Sequence, residues 1–229
     1  MTAPLPEKVI AAVLFGSQAR GDFDTRSDRD LCVIFENVVF DEVAPLVSAC
    51  AMLFGLPEDN FTAFTRGTAE LMADAGSLFL LHLKNEGIIL SDRGGFLAKL
   101  FCRLRAFDGH CHELALYRDL LSDVYESLES TGQPLELDLH ILQLIVRNTC
   151  LLLTHAAKEP CFSRRFAYDR ARALFPRIPL APEAYDELSY WHLKYERGTG
   201  PGKCLPSTED ARRLARAVDE TVAFAREAI

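Results

Sequence analysis

Apolar and polar positions follow two different rhythms along the chain, and the change of rhythm divides it. The first element is the unbroken apolar run Val9 to Phe15, which stops at Gly16-Ser17 as a buried strand leading into a tight turn should. A polar, turn-rich stretch from Arg20 to Ser27 follows, and then Arg29 to Glu36 reads as a second strand closed by Asn37. Asp41 has the character of an N-cap for a helix reaching about Phe54, with Pro45 early and Gly55 just beyond its end. Phe61 to Thr65, rich in aromatic and β-branched residues, is a third strand. Ser77 caps a helix over Leu78 to Glu86 that Gly87 ends, and Ile88-Ile89-Leu90 is a short last strand.

From Gly94 onward the strand signals vanish. Helical periodicity takes over near 95–106, 110–130, 135–157, 163–175, 182–196 and 207–228. Gly132 with Pro134, the pair Pro176 and Pro179, and the run Gly198 to Gly202 punctuate these segments. Ser207, three residues before Asp210, forms a variant capping box for the last helix. The fold class expected is α+β, with a strand-containing domain over 1–108, an all-α bundle over 109–229 and a boundary near Asp108-Gly109.

Composition narrows the function classes. A chain of 229 residues that is 49% hydrophobic can bury a substantial core, which excludes disorder and collagen-like repetition. Its net charge of −8 argues against a protein that coats itself with nucleic-acid backbone. The acids are concentrated in front: residues 1–115 carry 10 basic and 16 acidic side chains, against 15 and 17 in 116–229. The seven cysteines are odd in number, lie mostly in apolar runs and form no CxxC pair, so reduced thiols are expected. No unbroken apolar run is of membrane length, and MTAPLPEKVI lacks the regions of a secretory signal. The expectation is a soluble, cytoplasmic protein with no membrane partner.

Asp28 and Asp30 open the second strand one residue apart, so period-two geometry points both carboxylates the same way. Two hard oxygen ligands side by side suit Mg²⁺, which is held by a few carboxylates together with substrate phosphate. If the first two strands pair, the amides of the Gly16-Ser17 turn and the Ser17 hydroxyl come near those carboxylates, where a triphosphate would lie. Either piece alone is an ordinary turn or a solvated loop; the order strand, Gly-Ser, ten residues, Asp-x-Asp, strand is what carries the inference.

At these residues, Phe15-Gly16-Ser17-Gln18-Ala19-Arg20-Gly21 and Ser27-Asp28-Arg29-Asp30-Leu31-Cys32-Val33, the chain resembles the DNA polymerase beta superfamily of nucleotidyltransferases, especially its small prokaryotic members. The resemblance covers roughly residues 9–92. It implies a mixed sheet flanked by helices, Asp28 and Asp30 as catalytic metal ligands for Mg²⁺ or Mn²⁺, Gly16 and Ser17 as the phosphate turn, and Arg20 as a lesser phosphate contact. The activity implied is transfer of a nucleoside monophosphate from an NTP, ATP first, to a protein, RNA or small-molecule acceptor. The helical half resembles the substrate-binding or HEPN-like bundles attached to such domains, which implies an acceptor, a partner protein or a second copy. A role in a toxin–antitoxin or antiviral module is in keeping with small members of the superfamily.

The superfamily also has a third carboxylate on a later strand. Here the matching strand, Asn60 to Thr65, contains no acid, so Asp59, a more distant acid such as Asp74, or none completes the set. Loss of that acid would leave a nucleotide-binding or assembly subunit with impaired transfer.

Other features have blander explanations. Lys158, Arg164, Arg165, Arg170, Arg172 and Arg177, interleaved with Phe162, Phe166 and Tyr168, form either a grip for a nucleotide or RNA or a solvated helix face. Arg93, Lys99, Arg103 and Arg105 make a weaker group. Arg147-Asn148 and His155 share a helix, but seven intervening residues depart from the HEPN nuclease spacing. Tyr185, Leu188, Trp191, His192 and Tyr195 recur on one helix face and predict core packing between the two halves. His110-Cys111-His112-Glu113 is metal-like in composition, yet neighbours on a helix diverge, so an ordinary helix start is expected.

Overall fold

The structure is a computed structural model, and it describes residues 5–23, 28–164, 166–198 and 202–229. Asp24 to Ser27 before the second strand, Arg165 of the basic cluster and Thr199 to Pro201 lie outside the described residues. The chain forms two compact units, Met1–Asp108 and Gly109–Ile229.

In the first unit four strands make a mixed sheet in the order β3-β2-β1-β4: β1 (Val9–Phe15), β2 (Asp30–Phe35), β3 (Phe61–Thr65) and β4 (Ile88–Asp92). β1 pairs antiparallel with β2 and with β4, and β2 pairs parallel with β3. The central strands are apolar without alternation because helices cover both faces. On one face Ala11, Val13, Cys32 and Ile34 pack against Ala69 and Ala73 of α3 (Arg66–Asp74), Leu80 and Leu83 of α4 (Leu78–Glu86), and Leu97 and Leu100 of α5 (Phe96–Arg103). On the other, Val9, Ala12, Val33 and Phe35 meet Cys50 of α2 (Phe40–Phe54). β4 is interrupted: Ala12 faces Ser91 while Val13 faces Ile89, so Leu90 is an extra residue that bulges from the edge.

Three local expectations are corrected. Gly16-Ser17 opens a one-turn helix, α1 (Gly16–Arg20), in place of a tight turn. The N-cap of α2 is Val39, two residues before Asp41, and the Glu42 carboxylate accepts from the Val39 amide at 3.3 Å; acids early in the helix also suit its dipole. Helix α3 was not signalled by periodicity, because Arg66-Gly67-Thr68 opens it with no apolar residue; Thr65 caps it, its hydroxyl accepting from the Thr68 amide at 3.2 Å. By contrast Ser77 does cap α4, accepting from the Leu80 amide at 3.3 Å.

The second unit consists of α6 (His110–Thr131), α7 (Glu136–Ala156), α8 (Ala167–Leu174), α9 (Pro182–Arg197) and α10 (Thr208–Ala228). Helix α7 packs against all four others, which explains why buried residues occur around most of its circumference, from Leu139 and Leu142 to Val146, Cys150 and Leu153. By length and composition α7 is apolar enough to cross a membrane, but most of it is buried inside this unit, as befits a core helix. The aromatic face predicted on α9 belongs to this unit's own core: Tyr185, Leu188, Trp191 and His192 are buried, Tyr185 stacks on Tyr168 of α8 at 4.5 Å, and Tyr195 is exposed. None of the seven cysteines forms a disulfide; burial pushes the thiols of Cys32 and Cys150 up to about 12, where they are inert hydrophobes.

Candidate functional site

The register of β1 and β2 sets Phe15 opposite Asp30, so the residue after β1 lies beside the first carboxylate of β2. Gly16 has φ 74°, and a Cβ there would stand 2.5 Å from Asp30 Oδ2. Two independent constraints therefore require glycine: the left-handed backbone and the carboxylate against it. Asp30 is half-buried, and Asp28, two residues earlier, is exposed. Ser17 lies in the first turn of α1, whose end is closed by Gly21 in a left-handed conformation.

Arg20, the lesser candidate for a phosphate contact, is tied into the fold by its neighbours. Its side chain is 16% exposed and is engaged by Asp22 at 3.2 Å and by Glu86 at 3.1 Å, with His82 Nε2 at 3.3 Å from the guanidinium. His82 and Glu86 belong to α4, so Arg20 ties α1 to α4. Burial pushes the Glu86 carboxyl up, but His82 and Arg20 outweigh it and hold the group below the usual carboxylate range. Phe15 packs edge-on against Phe79 at 5.3 Å and against His82 at 5.7 Å, which braces the start of α1 on the same helix.

The parallel neighbour β3 supplies no acid to this corner. Leu31 pairs with Phe61, so the register carried back by one step sets Asn60 level with Asp30; Asn60 donates to the Arg29 carbonyl at 3.0 Å. Thr62 and Phe64 come next on the same side, opposite Cys32 and Ile34. Asp59 is exposed in a 3₁₀ turn, Glu58–Asn60. Asp74, at the end of α3, is gripped by Arg103, whose Nε donates to it at 2.5 Å; that guanidinium keeps the carboxyl low.

The remaining candidates fall elsewhere. In the basic stretch Arg170 pairs with Glu159, Arg172 donates to the Tyr168 hydroxyl at 3.2 Å, and Phe162 and Tyr168 are buried as core rather than presented for stacking. Arg93 caps the carbonyls of Leu5 and Glu7. Arg147 donates to Asn148 at 3.2 Å and to the Phe162 carbonyl at 3.3 Å, while His155 Nδ1 faces His110 Nε2 at 2.9 Å. His110 opens α6 as expected of a helix start. The grouping that the sequence did not reveal is His140, His192 and Glu196 in the second unit, where one potential ligand atom from each lies within 4.8 Å of the others.

The first strand of the mixed sheet thus leads through a glycine against an aspartate at the head of the second. Residues 3–74 match the family described as Polymerase beta, Nucleotidyltransferase, so the front of the chain carries a domain of that kind. Among curated proteins none matches the chain. Among solved structures, a toxin-antitoxin crystal structure with AMP-PNP is similar at 17% identity and TM-score 0.29, covering 54% of this chain and 90% of that one.

Proposed function

We propose that the protein is a metal-dependent nucleotidyltransferase that moves a nucleoside monophosphate from an NTP, ATP first, to a hydroxyl of a protein, RNA or small-molecule acceptor. The observation that carries this reading is Gly16 held against Asp30, with Asp28 two residues away, inside a nucleotidyltransferase domain. The residues fit a divalent cation in their chemistry: two carboxylates two residues apart in sequence and a cradle beside Asp30 that a single Cβ would fill. Asp28 and Asp30 would hold Mg²⁺ or Mn²⁺, which when bound supplies charge neutralisation to the triphosphate.

The chain's own residues have the positioning work. Gly16 leaves room beside Asp30, and the Ser17 hydroxyl and first-turn amides of α1 hold phosphate oxygens. Arg20 acts through its neighbours, keeping α1 seated on α4. The acceptor oxygen forms a bond to the α-phosphorus, the bond to the bridging oxygen of the β-phosphate breaks, pyrophosphate leaves, and the acceptor proton passes to solvent. The second unit presents the acceptor or a partner protein, and free cysteines suit a cytoplasmic setting.

A second reading is favoured by the acid-free face of β3: a nucleotide-binding or assembly subunit with impaired transfer. Radiolabelled NTP with Mg²⁺ or Mn²⁺ separates the two. Transferase activity predicts sustained pyrophosphate release that falls at least about 10³-fold in Asp28→Asn/Asp30→Asn, several kcal/mol of lost charge stabilisation at about 1.4 kcal/mol per tenfold. NTP-dependent thermal stabilisation without release leaves the second reading. Neither release nor stabilisation in wild type removes both.

A further inference from the structure

Three of the chain's metal-capable side chains meet far from Asp28 and Asp30 in sequence, within the helical unit. His192 and Glu196 are four residues apart on α9, so they project from the same side of that helix. His140 comes from the neighbouring helix α7, and its Nδ1 faces the Nδ1 of His192 at 3.0 Å with the two rings within 5° of parallel. Glu196 Oε1 stands 3.7 Å from His140 Nε2. Both histidines are buried, at 8% and 4% exposure, and the Glu196 side chain is half-exposed at 46%.

Two imidazole Nδ1 atoms facing each other share one proton between two lone pairs, and His192 Nε2 is buried with no hydrogen-bond partner. A cation between the rings would take both lone pairs. Nitrogen ligands on a tetrahedral ion at ~2.05 Å lie ~3.3 Å apart, a few tenths of an ångström from the separation here. A ligand oxygen of the exposed Glu196 carboxylate lies within 4.8 Å of a ligand nitrogen of each histidine, close enough for its side chain to supply the third ligand.

We propose that His140, His192 and Glu196 form a site for a divalent transition-metal ion of the zinc type, cross-linking α7 to α9 with a fourth position open to water. Both histidines are buried and offer imidazole nitrogen, the ligand type that such an ion prefers. The charges of Arg164, Arg147 and Arg197 oppose any cation near His192, and only Glu196 offsets them. Hard ions that depend on carboxylates are therefore excluded, whereas an ion with strong affinity for imidazole nitrogen is retained. The site is independent of the nucleotidyl-transfer reading.

The test is Co²⁺ titration of the full chain after chelator treatment, followed by visible absorption, with circular dichroism reporting the fold. One equivalent should give the intense visible bands of a low-symmetry four-coordinate site, displaced by Zn²⁺ and untouched by excess Mg²⁺. Glu196→Gln should weaken binding at least tenfold and His140→Gln should abolish it, while Asp28→Asn/Asp30→Asn leaves it unchanged. Zn²⁺ should raise the melting temperature of wild type and not of His140→Gln. Absence of the bands, thiolate charge-transfer absorption indicating cysteine ligands, or equal affinity in wild type and Glu196→Gln overturns the assignment. Because Glu196 is half-exposed, that variant decides the matter even if His140→Gln fails to fold.

Discussion

The two units place their polar groups by opposite means. In the front unit the chemistry is assembled by strands consecutive in sequence: Phe15 at the end of β1 pairs with Asp30 at the start of β2. In the helical unit His140 meets His192 and His110 meets His155, contacts that depend on how whole helices dock. A hairpin-like pairing can be read from a motif, because the spacing of the motif is the spacing of the fold. A helix–helix pairing cannot, because periodicity shows which face is buried and says nothing of which face it meets.

The largest test of that contrast is Trp191→Ala. Trp191 is 1% exposed in the helical core and lies beneath the Lys194 ammonium, 4.7 Å from the ring. Truncation should cost about 3–5 kcal/mol by removing buried area and leaving a cavity. Because each unit has its own core, urea unfolding followed by circular dichroism should show early loss of the helical unit while NTP-dependent stabilisation of the front persists. Simultaneous loss of both would mean that the units fold as one.

Gly16→Ala sharpens the comparison from the other side. The left-handed φ costs about 1–2 kcal/mol for a residue with a Cβ, and the new methyl must displace the Asp30 carboxylate. Pyrophosphate release should therefore fall by more than the stability loss explains, with the helical unit's melting unchanged. An active Gly16→Ala enzyme would show that the close approach to Asp30 is incidental.

The smallest effect expected is on pH. Burial, then the charges of His110 and Lys158, hold the His155 imidazole below its ordinary value of 6.5. The unfolded chain therefore takes up the proton first, so stability is complete above that value and declines as pH falls below it. Melting of the helical unit between about pH 7.5 and 5.5 should show the decline, and His155→Gln should flatten part of it. A decline of the same size in that variant would remove His155 as the source.

The same contrast explains what was legible beforehand. All four strands were readable, since apolar runs bounded by glycine and polar turns leave little alternative, and the Ser77 and Ser207 caps announce their helices. Helix α3 was hidden because Thr65 ends β3 and caps the helix in the same residue, with no loop between. The contacts of Arg20 were not legible, because its partners His82 and Glu86 lie more than sixty residues away. His192 was visible on the apolar face of α9, but nothing in its neighbourhood pointed to His140 on another helix.

The bulge at Leu90 has a bearing on behaviour in concentrated solution. Ile88, Ile89 and Leu90 are all exposed on β4, which is an edge of the sheet among the described residues. A flat edge of that composition is a template on which strands of other molecules can add. The extra residue breaks the even row of backbone donors and acceptors and bends the strand, so a second chain finds no continuous ladder to extend. Any protection of this edge comes from backbone geometry, with no charged residue on the apolar segment.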